Sequence, residues 1–208
     1  FLMPSTAGDD TVIRCETCGY AANREVAVGT LDRAVESPEP MDSVSTHGAV
    51  TMSSLAHRLE KPRHRLAKTM VYSTGADIVL AVVRGDQQVS EEKLARALSQ
   101  STLRLADPEE LQFLGLDPRY IGPTDLPLEV LELDLSVHIV VDEVAANTPN
   151  LVVASNEPGV HFVNVNFGRD FESELVTDIS RVIPGARCIH CGSELVEQNV
   201  VELGNIFK

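Results

Sequence analysis

Hydrophobic and polar residues alternate with a period of two along residues 159–170. In an extended strand this pattern puts a histidine and three apolar residues on one face, and three other residues on the opposite face: His161, Val163, Val165 and Phe167 against Phe162, Asn164 and Asn166. Gly159 and Gly168 bracket the run, so the backbone can turn or approach a ligand closely at either end. The pattern predicts a strand with an imidazole at its leading end. On this stretch alone, a buried core histidine is favoured over a functional one.

The other apolar runs predict further strands and at least three helices. Strands are predicted at residues 69–72 and 78–83, joined as a hairpin, at 139–141 after the alternating Leu131, Leu133 and Leu135, and at 151–154. Helices are predicted to start after Thr51, Ser90 and Asp107, whose side chains can accept hydrogen bonds from the first free backbone N–H groups. Strands of mixed length interrupted by helices indicate an α+β fold rather than a regular βαβ series.

The length of 208 residues allows one domain, or one domain with a small appendage. The formal charge of −14, from 17 Lys and Arg against 31 Asp and Glu, argues against a protein that coats nucleic acid by neutralising its charge. A nucleic-acid contact would have to be local, and the candidate is a cationic run opposed only by Glu60: Arg58, Lys61, Arg63, Arg65 and Lys68. A helix face turned to water is the simpler explanation of such a run.

Four cysteines form two Cys-x-x-Cys-Gly motifs far apart in the chain, Cys15 with Cys18 and Cys188 with Cys191. Each motif can supply two thiolates from one tight turn, so the two motifs together would complete the tetrahedron of a structural zinc site. Disulfides are the alternative, but this spacing, in a chain without a secretory signal, favours a metal or reduced thiols. Such a clasp would hold the two ends of the chain together.

The chain shows no membrane segment and resembles an excised piece. No apolar run approaches the roughly 20 residues that a membrane helix needs, so no membrane contact is expected. Phe1 opens the chain in mid-pattern without an initiator methionine, which suggests a fragment of a longer protein. The proline-rich stretch 36–40 is typical of a linker, after which the main folded body should begin.

Several motifs, taken in order, point to a known family. They are Cys15-Glu16-Thr17-Cys18-Gly19-Tyr20, Ala67-Lys68-Thr69-Met70, Val83-Arg84-Gly85-Asp86, Gly122-Pro123, Asp142, Asn156, Gly159-Val160-His161 through Gly168-Arg169-Asp170, and Val201-Glu202-Leu203-Gly204-Asn205. With these motifs the chain resembles the insertion (editing) domain of bacterial-type prolyl-tRNA synthetase, with short flanks from the class II catalytic core of that enzyme. The resemblance covers nearly the whole chain and changes the interpretation of His161 from core to functional.

The resemblance implies a fold and a division into three parts. The fold is a mixed, mostly antiparallel sheet or partly open barrel surrounded by helices, with a small cysteine-clasp appendage. Residues 1–35 would be a flank from the catalytic core with the first cysteine pair. Residues 41–172 would be the editing domain, and 173–208 the return flank with the second pair.

The resemblance also implies a function in post-transfer editing. A synthetase pocket sized for proline cannot strongly exclude the smaller alanine, so a second site hydrolyses alanine wrongly attached to tRNA(Pro). The expected partners are the alanine-carrying acceptor end of tRNA(Pro) and the rest of the synthetase chain. The full-length parent would ligate proline to tRNA(Pro) with ATP and magnesium, as a cytoplasmic homodimer. This fragment alone is not expected to form prolyl-adenylate.

By resemblance, three residues carry the catalytic role. Lys68 would contact the phosphate of the terminal nucleotide, while His161 and Asp142 would line the aminoacyl pocket, with His161 positioning the substrate. A hydroxyl of the substrate's own ribose would assist, so no Ser/His/Asp triad is expected. The residues carried over as substrate-binding are Thr46, Gly122, Asn156 and Gly159.

The chain departs from the family's pattern at several positions. Ala154 stands where glycine is common, Glu143-Val144 where a more polar pair is usual, Phe167 where tryptophan is usual, and Asn205 where histidine is usual. The extra methyl of Ala154 could narrow the pocket floor. Two other functions therefore stay open: a weak or inactive module that only binds the tRNA acceptor end, and a zinc-ribbon interaction module. Lys68 could also be a surface cation, and Asp142 a turn former at a strand end.

Overall fold

The computed structural model describes residues 2–5, 7–31, 35–126, 136–202 and 204. Contacts within the chain divide it into two compact units, one formed by Phe1–Asp32 with Arg181–Lys208 and the other by Arg33–Ser180. Within the described ranges, no helix is long and apolar enough to cross a membrane. The predicted alternation at residues 131–135 and the flank residue Asn205 lie outside the described residues.

The smaller unit is built on an antiparallel sheet of four strands. In order across the sheet these are β1 (Leu2–Pro4), β14 (Leu195–Glu202), β2 (Asp10–Cys15) and β3 (Ala21–Asn23). A two-stranded ribbon of β4 (Gly29–Thr30) and β13 (Arg187–Cys188) belongs to the same unit. Ile13, Val182 and Leu195 pack with the buried Cys15 and Cys188 in its core. The unit therefore brings sequence from both halves of the chain into one sheet.

The larger unit contains a five-stranded sheet. Its order is β12 (Leu175–Thr177), β9 (Val137–Asp142), β7 (Ile78–Arg84), β6 (Ala67–Ser73) and β8 (Arg104–Leu105). β7 runs parallel to β9, and β9 parallel to β12, whereas the other pairs are antiparallel. Every residue of the central strand β7 is buried, which explains its nearly continuous apolar sequence. The pairing of β12 with β9 extends this unit to Ser180.

A second, antiparallel sheet of the larger unit carries the candidate site. Its order is β10 (Leu151–Ala154), β11 (Val160–Val165) and β5 (Asp42–Ser45). An isolated parallel bridge between Leu66 and Val152 brings β10 beside β6, and both residues pack with Leu55. The unit therefore combines mixed, mostly antiparallel sheets with short helices, in agreement with the predicted α+β class. The predicted strands at 69–72, 78–83 and 151–154 are confirmed.

Helices in the described ranges are short. They are α1 (Met52–Arg58), α2 (Glu91–Leu98), α3 (Pro108–Phe113) and α4 (Glu143–Ala146), with a 3₁₀ turn at Arg63–Arg65. Thr51, Ser90 and Asp107 cap the first three helices by accepting hydrogen bonds from backbone N–H groups of the first turn, as predicted. The sequence reasoning missed α4, whose single turn is too short to show a helical period.

The strand of His161 does not keep its predicted alternation. Asn164 has a left-handed backbone with φ 60°, and the pairing of β11 with β10 changes register. As a result, Val165 packs in the same cluster as Phe162, whereas Val163 packs in a different cluster. Phe167 also packs with Phe162. The prediction of one continuous apolar face is therefore wrong for Val165 and Phe167, because a bulge reverses the side on which later residues fall.

Candidate active site

His161 is the central residue of the candidate site. It lies in β11, opposite Ala154 of β10 and Val44 of β5. The residue is 3% exposed, and its Nδ1 lies 2.7 Å from the hydroxyl oxygen of the fully buried Thr46. The ring of Tyr120 packs edge-on against the imidazole, with the ring centroids 6.1 Å apart. Because Thr46 engages Nδ1, Nε2 is the ring nitrogen left for a substrate.

The imidazole of His161 is uncharged at neutral pH. Burial lowers the pKa of His161 to about 4, because the charged form loses its hydration. A neutral imidazole has one N–H donor and one acceptor nitrogen. The Thr46 hydroxyl can donate a hydrogen bond to Nδ1 or accept one from it. In the first case Nε2 carries the proton and is a donor, and in the second case Nε2 is an acceptor. The side chain is therefore a fixed hydrogen-bonding group rather than a cation.

Strand geometry places Lys68 and His161 on the same face of the structure. β6 lies next to β10 through the isolated parallel bridge of Leu66 with Val152, and Lys68 and Ala154 each lie two residues beyond it, on the same side of their strands as Leu66 and Val152. Ala154 pairs in turn with His161. Residues opposite each other on neighbouring strands project from the same face of a sheet. We call Lys68, Ala154 and His161 the row, because they project from one face of three neighbouring strands.

Lys68 is half-buried and has no carboxylate within ion-pair distance among the residues that the structure describes. Burial, followed by the positive charge of Arg63, lowers the pKa of Lys68, while Asp86 partly opposes this shift. Both oxygens of Asp86 already accept hydrogen bonds from Arg84, at 2.7 and 2.8 Å. The ammonium group of Lys68 is thus available to an anionic ligand such as a phosphate.

The loop that contains Gly122 packs on the end of β10. The side chain of Asn156 holds this loop: Oδ1 accepts from the backbone N–H of Gly122 at 2.9 Å, and Nδ2 donates to the carbonyl of Thr124 at 2.5 Å. The backbone N–H of Asn156 also donates to the carbonyl of Tyr120 at 2.9 Å. A Cβ on Gly122 would lie 1.7 Å from the carbonyl oxygen of Ala154. Only glycine therefore fits at position 122. The side-chain amide of Asn156 is occupied by its hydrogen bonds to the loop.

Gly159 positions Thr46, the hydrogen-bond partner of His161. Its carbonyl accepts a hydrogen bond from the backbone N–H of Thr46 at 2.7 Å. Its backbone is left-handed, with φ 79°, and an added Cβ would lie 2.2 Å from Nδ1 of His47. The left-handed backbone favours glycine at this position, whereas the exposed His47 ring can rotate away. Gly159 and Thr46 therefore act together behind His161, which places them in a supporting position.

The carboxylate of Asp142 is engaged in structural hydrogen bonds. One oxygen accepts from the backbone N–H of Val144 at 2.9 Å, which caps α4, and the other accepts from the backbone N–H of Ile179 at 3.1 Å. Burial raises the pKa of Asp142, although these two hydrogen bonds act in the opposite direction and lower it. In the larger sheet, β7 and β6 separate its strand from β10. This geometry favours a strand-end role, and a catalytic role for Asp142 stays a prediction.

Two residues that the sequence did not single out flank Gly122 in its loop. Tyr120 packs on His161, and Thr124 is 4% exposed, yet its hydroxyl has no hydrogen-bond partner within the described part of the chain. A buried hydroxyl without a partner costs about 1–3 kcal/mol. The sequence signal that could have identified both is their position on either side of Gly122-Pro123, within one turn.

The four cysteines come together in the smaller unit. Cys15 and Cys188 are buried, Cys18 and Cys191 are exposed, all four are free thiols, and their sulfur atoms lie within 4.8 Å of one another. The Sγ atoms of Cys15 and Cys191 are 3.4 Å apart, and those of Cys18 and Cys188 are 3.6 Å apart. The backbone N–H of Ser193 lowers the pKa of Cys191 to about 6, which favours one thiolate near neutral pH. This cluster could hold a metal ion.

Residues 46–171 match the family model described as the aminoacyl-tRNA editing domain. This span begins at Thr46 and includes Lys68, Gly122 and His161. The chain belongs to the aminoacyl-tRNA editing domain family.

Curated relatives identify the family of the chain more narrowly. The chain is 36% identical over 211 residues to the proline–tRNA ligase of Moorella thermoacetica, and 35% identical over 210 residues to that of Aquifex aeolicus. Each alignment covers all of this chain but only 35% and 36% of the respective ligase, so the chain spans about a third of the length of these relatives. The matches fit the editing insertion domain of a prolyl-tRNA synthetase, which confirms the predicted resemblance.

Two solved structures share the fold. The crystal structure of hypothetical protein APE2540 has a TM-score of 0.55 and 16% identity, and covers 68% of this chain and 92% of that one. A crystal structure described as a proposed trans-editing enzyme for prolyl tRNA synthetase has a TM-score of 0.50 and 20% identity, covering 59% and 74%. At these identities the likeness concerns the fold alone.

Proposed function

We propose that this chain hydrolyses the ester bond of alanyl-tRNA(Pro), as the post-transfer editing module of a prolyl-tRNA synthetase. The observation that carries the proposal is the row of Lys68, Ala154 and His161 across three strands, bordered by the loop of Gly122. A terminal aminoacyl-adenosine offers a phosphate and an ester. The row offers an unpaired cation and a fixed hydrogen-bonding imidazole to meet them.

His161 positions the ester rather than acting as the base. With its pKa lowered to about 4, the ring is a weak proton acceptor at neutral pH. Water attacks the ester carbonyl with help from a hydroxyl of the substrate's ribose, and the bond to the ribose oxygen breaks, releasing alanine and uncharged tRNA. Negative charge develops on the carbonyl oxygen during attack, and Lys68 offsets charge at the nucleotide end of the site.

Selectivity for alanine over proline is assigned to the floor and the loop of the site. The methyl of Ala154 lies in the row itself, between Lys68 and His161, and limits the room for a ring. The Gly122 loop, held by Asn156, would bound the same space. The ring of proline needs more room than the methyl of alanine, so it would fit this space less well.

Single-turnover hydrolysis of alanyl-tRNA(Pro), with prolyl-tRNA(Pro) as the matched substrate, tests this function. We expect the chain to release alanine at least about 100-fold faster than spontaneous decay, and proline no faster than decay. The variant His161→Ala should lose most of this rate because Nε2 is removed. Release of alanine at the spontaneous rate by the unaltered chain would contradict the proposal and favour a module that only binds the acceptor end.

We further propose that the four cysteines bind a structural zinc ion. Zinc held by thiolates at about 2.3 Å places sulfurs about 3.8 Å apart in a tetrahedron. The Sγ pairs at 3.4 and 3.6 Å, from Cys15 to Cys191 and from Cys18 to Cys188, lie close to that spacing. Zinc would supply no chemistry to the reaction, since the thiolates would fill all four positions. Its role would be to stabilise the smaller unit.

Metal removal tests the zinc proposal. We expect the purified chain to contain about one zinc per chain by mass spectrometry, and a chelator to lower the melting temperature of the smaller unit, because binding energy becomes folding energy in small metal sites. The variant Cys15→Ser with Cys188→Ser is the control, since it should melt alike with and without chelator. Equal melting of the unaltered chain in both conditions would exclude a structural metal.

The properties of the full-length parent enzyme are also proposals. As a module covering about a third of its relatives' length, the chain would work within a parent that ligates proline to tRNA(Pro) using ATP and magnesium. We propose that this parent is a cytoplasmic homodimer whose dimer contacts lie outside this chain. The chain's own ligands would be the acceptor end of alanine-charged tRNA(Pro) and zinc.

A further inference from the structure

Most cations of this acidic chain are paired with carboxylates. Nine described lysines and arginines form ion pairs: Arg14, Arg24, Arg65, Arg84, Lys93, Arg104, Arg119, Arg169 and Arg181. Arg187 also has an interaction partner, so it does not count among the unpaired cations. Among the other described cations, those without a carboxylate partner are Arg58, Lys61, Arg63, Lys68 and Arg96. Four of these five cations lie within eleven consecutive positions of a chain that has 31 acidic residues.

We name Arg58, Lys61 and Arg63 the basic face. Arg58 and Arg63 are exposed and Lys61 is half-buried. Their nearest polar contacts are neutral: Nε of Arg58 donates to the carbonyl of Ser45 at 3.3 Å, and Arg63 donates to the hydroxyl of Ser53. Their positive charges are therefore not neutralised within the described chain.

The basic face borders both ends of the candidate site. Arg58 contacts Ser45, the residue before Thr46, whose hydroxyl meets His161. At the other end, the carbonyl of Arg63 packs against Gly85, which follows the strand paired with β6, and the charge of Arg63 reaches Lys68. Arg58 thus lies near the histidine end of the row, and Arg63 lies near its lysine end.

We propose that the basic face binds the phosphodiester backbone of the tRNA acceptor end, upstream of the nucleotide held at Lys68. The proposal rests on the function proposed above and deepens it by assigning an RNA-binding surface. The chemistry is a series of cation–phosphate contacts, which position a nucleic acid without reading its sequence. A local cluster of unpaired cations creates a positive potential that attracts a polyanion, even though the chain as a whole is acidic.

The salt dependence of RNA binding tests the basic face directly. Fluorescence anisotropy with uncharged, dye-labelled tRNA(Pro) measures the Kd of the 208-residue chain over a range of salt concentrations, without any hydrolysis. Each lost phosphate contact should flatten the plot of log Kd against log salt by about 0.7–0.9. The double variant Lys61→Gln with Arg63→Gln should therefore flatten the slope by about 1.5 and weaken binding about tenfold at low salt.

The control removes the same charge elsewhere. Arg96→Gln with Arg104→Gln changes two exposed cations on α2 and β8 and should leave the slope within about 0.3 of the unaltered chain's. Equal slopes for the two double variants would overturn the proposal, as would an unaltered chain that fails to bind at low salt. A slope change in a chain that does not hydrolyse alanyl-tRNA(Pro) would support the basic face and contradict the editing function, so the two failures are distinguishable.

Discussion

Replacing Lys68 by glutamine is expected to lower the second-order rate constant for hydrolysis of alanyl-tRNA(Pro) by about 100-fold, because a charged contact to the terminal phosphate that binds and positions the substrate is lost. Glutamine retains much of the side-chain length and a hydrogen-bond donor but removes the charge. Lys68 is the half-buried cation of the row with Ala154 and His161, and it has no carboxylate partner in the described chain. Rapid quenching with the protein in excess over the substrate, at concentrations below the Kd, measures this constant, which includes the contribution of binding.

Two further variants separate electrostatics from general damage. Arg96→Gln removes another exposed cation without a carboxylate partner, in α2, and should hydrolyse the substrate at the unaltered rate. Lys68→Arg keeps the charge but changes its geometry, and should recover part of the lost rate. If Lys68→Gln hydrolyses the substrate within twofold of the unaltered chain, the row cannot be the reaction centre.

The elements that sequence reasoning predicted correctly depend on local chemistry. Thr51, Ser90 and Asp107 cap their helices through hydrogen bonds that reach no further than three residues along the chain. The hairpin of β6 and β7 follows from two apolar runs around one turn. Such features can be read from a short window because no distant residue decides them.

The features that sequence reasoning missed depend on contacts between distant segments. Thr46 and His161 lie 115 positions apart and meet only because β5 pairs with β11. The left-handed backbone of Asn164 moves Val165 to the other side of its strand, and no periodic pattern contains that information. The partnerless hydroxyl of Thr124 becomes visible only when the surrounding atoms are known. Assembly of the site is therefore a property of the tertiary structure.

For two residues the resemblance predicts a role that their contacts in the structure do not test. Asn156 is predicted to bind substrate, and its amide holds the loop through Gly122 and Thr124. Asp142 is predicted to be catalytic, and both of its oxygens accept backbone hydrogen bonds. A residue can be required at a site because it shapes the backbone there, and sequence alone does not distinguish that requirement from contact with the substrate.

The closeness of the Gly122 loop to β10 leads to the second large expected effect. We expect Gly122→Ala to lower the free energy of unfolding of the larger unit by about 3 kcal/mol, the upper range for overpacking. The new Cβ would lie 1.7 Å from the carbonyl oxygen of Ala154, and backbone atoms cannot rotate away as a side chain can. The loop would have to move, breaking its hydrogen bonds with Asn156. Urea denaturation followed by far-ultraviolet circular dichroism measures the change.

The control for Gly122→Ala is Gly115→Ala, which tests backbone conformation without a clash. Gly115 has a left-handed backbone with φ 67°, and a Cβ there would meet nothing within 4 Å, so this variant should cost only about 1 kcal/mol. Gly122 has no positive φ, so the two variants compare a steric clash with Ala154 against backbone strain alone. Because that contact sets the distance between the loop and the row of Lys68 and His161, Gly122→Ala should also lose hydrolysis where it remains folded. Equal costs for the two variants would mean that the loop does not pack on β10, and the pocket assigned to alanine would then lack one wall.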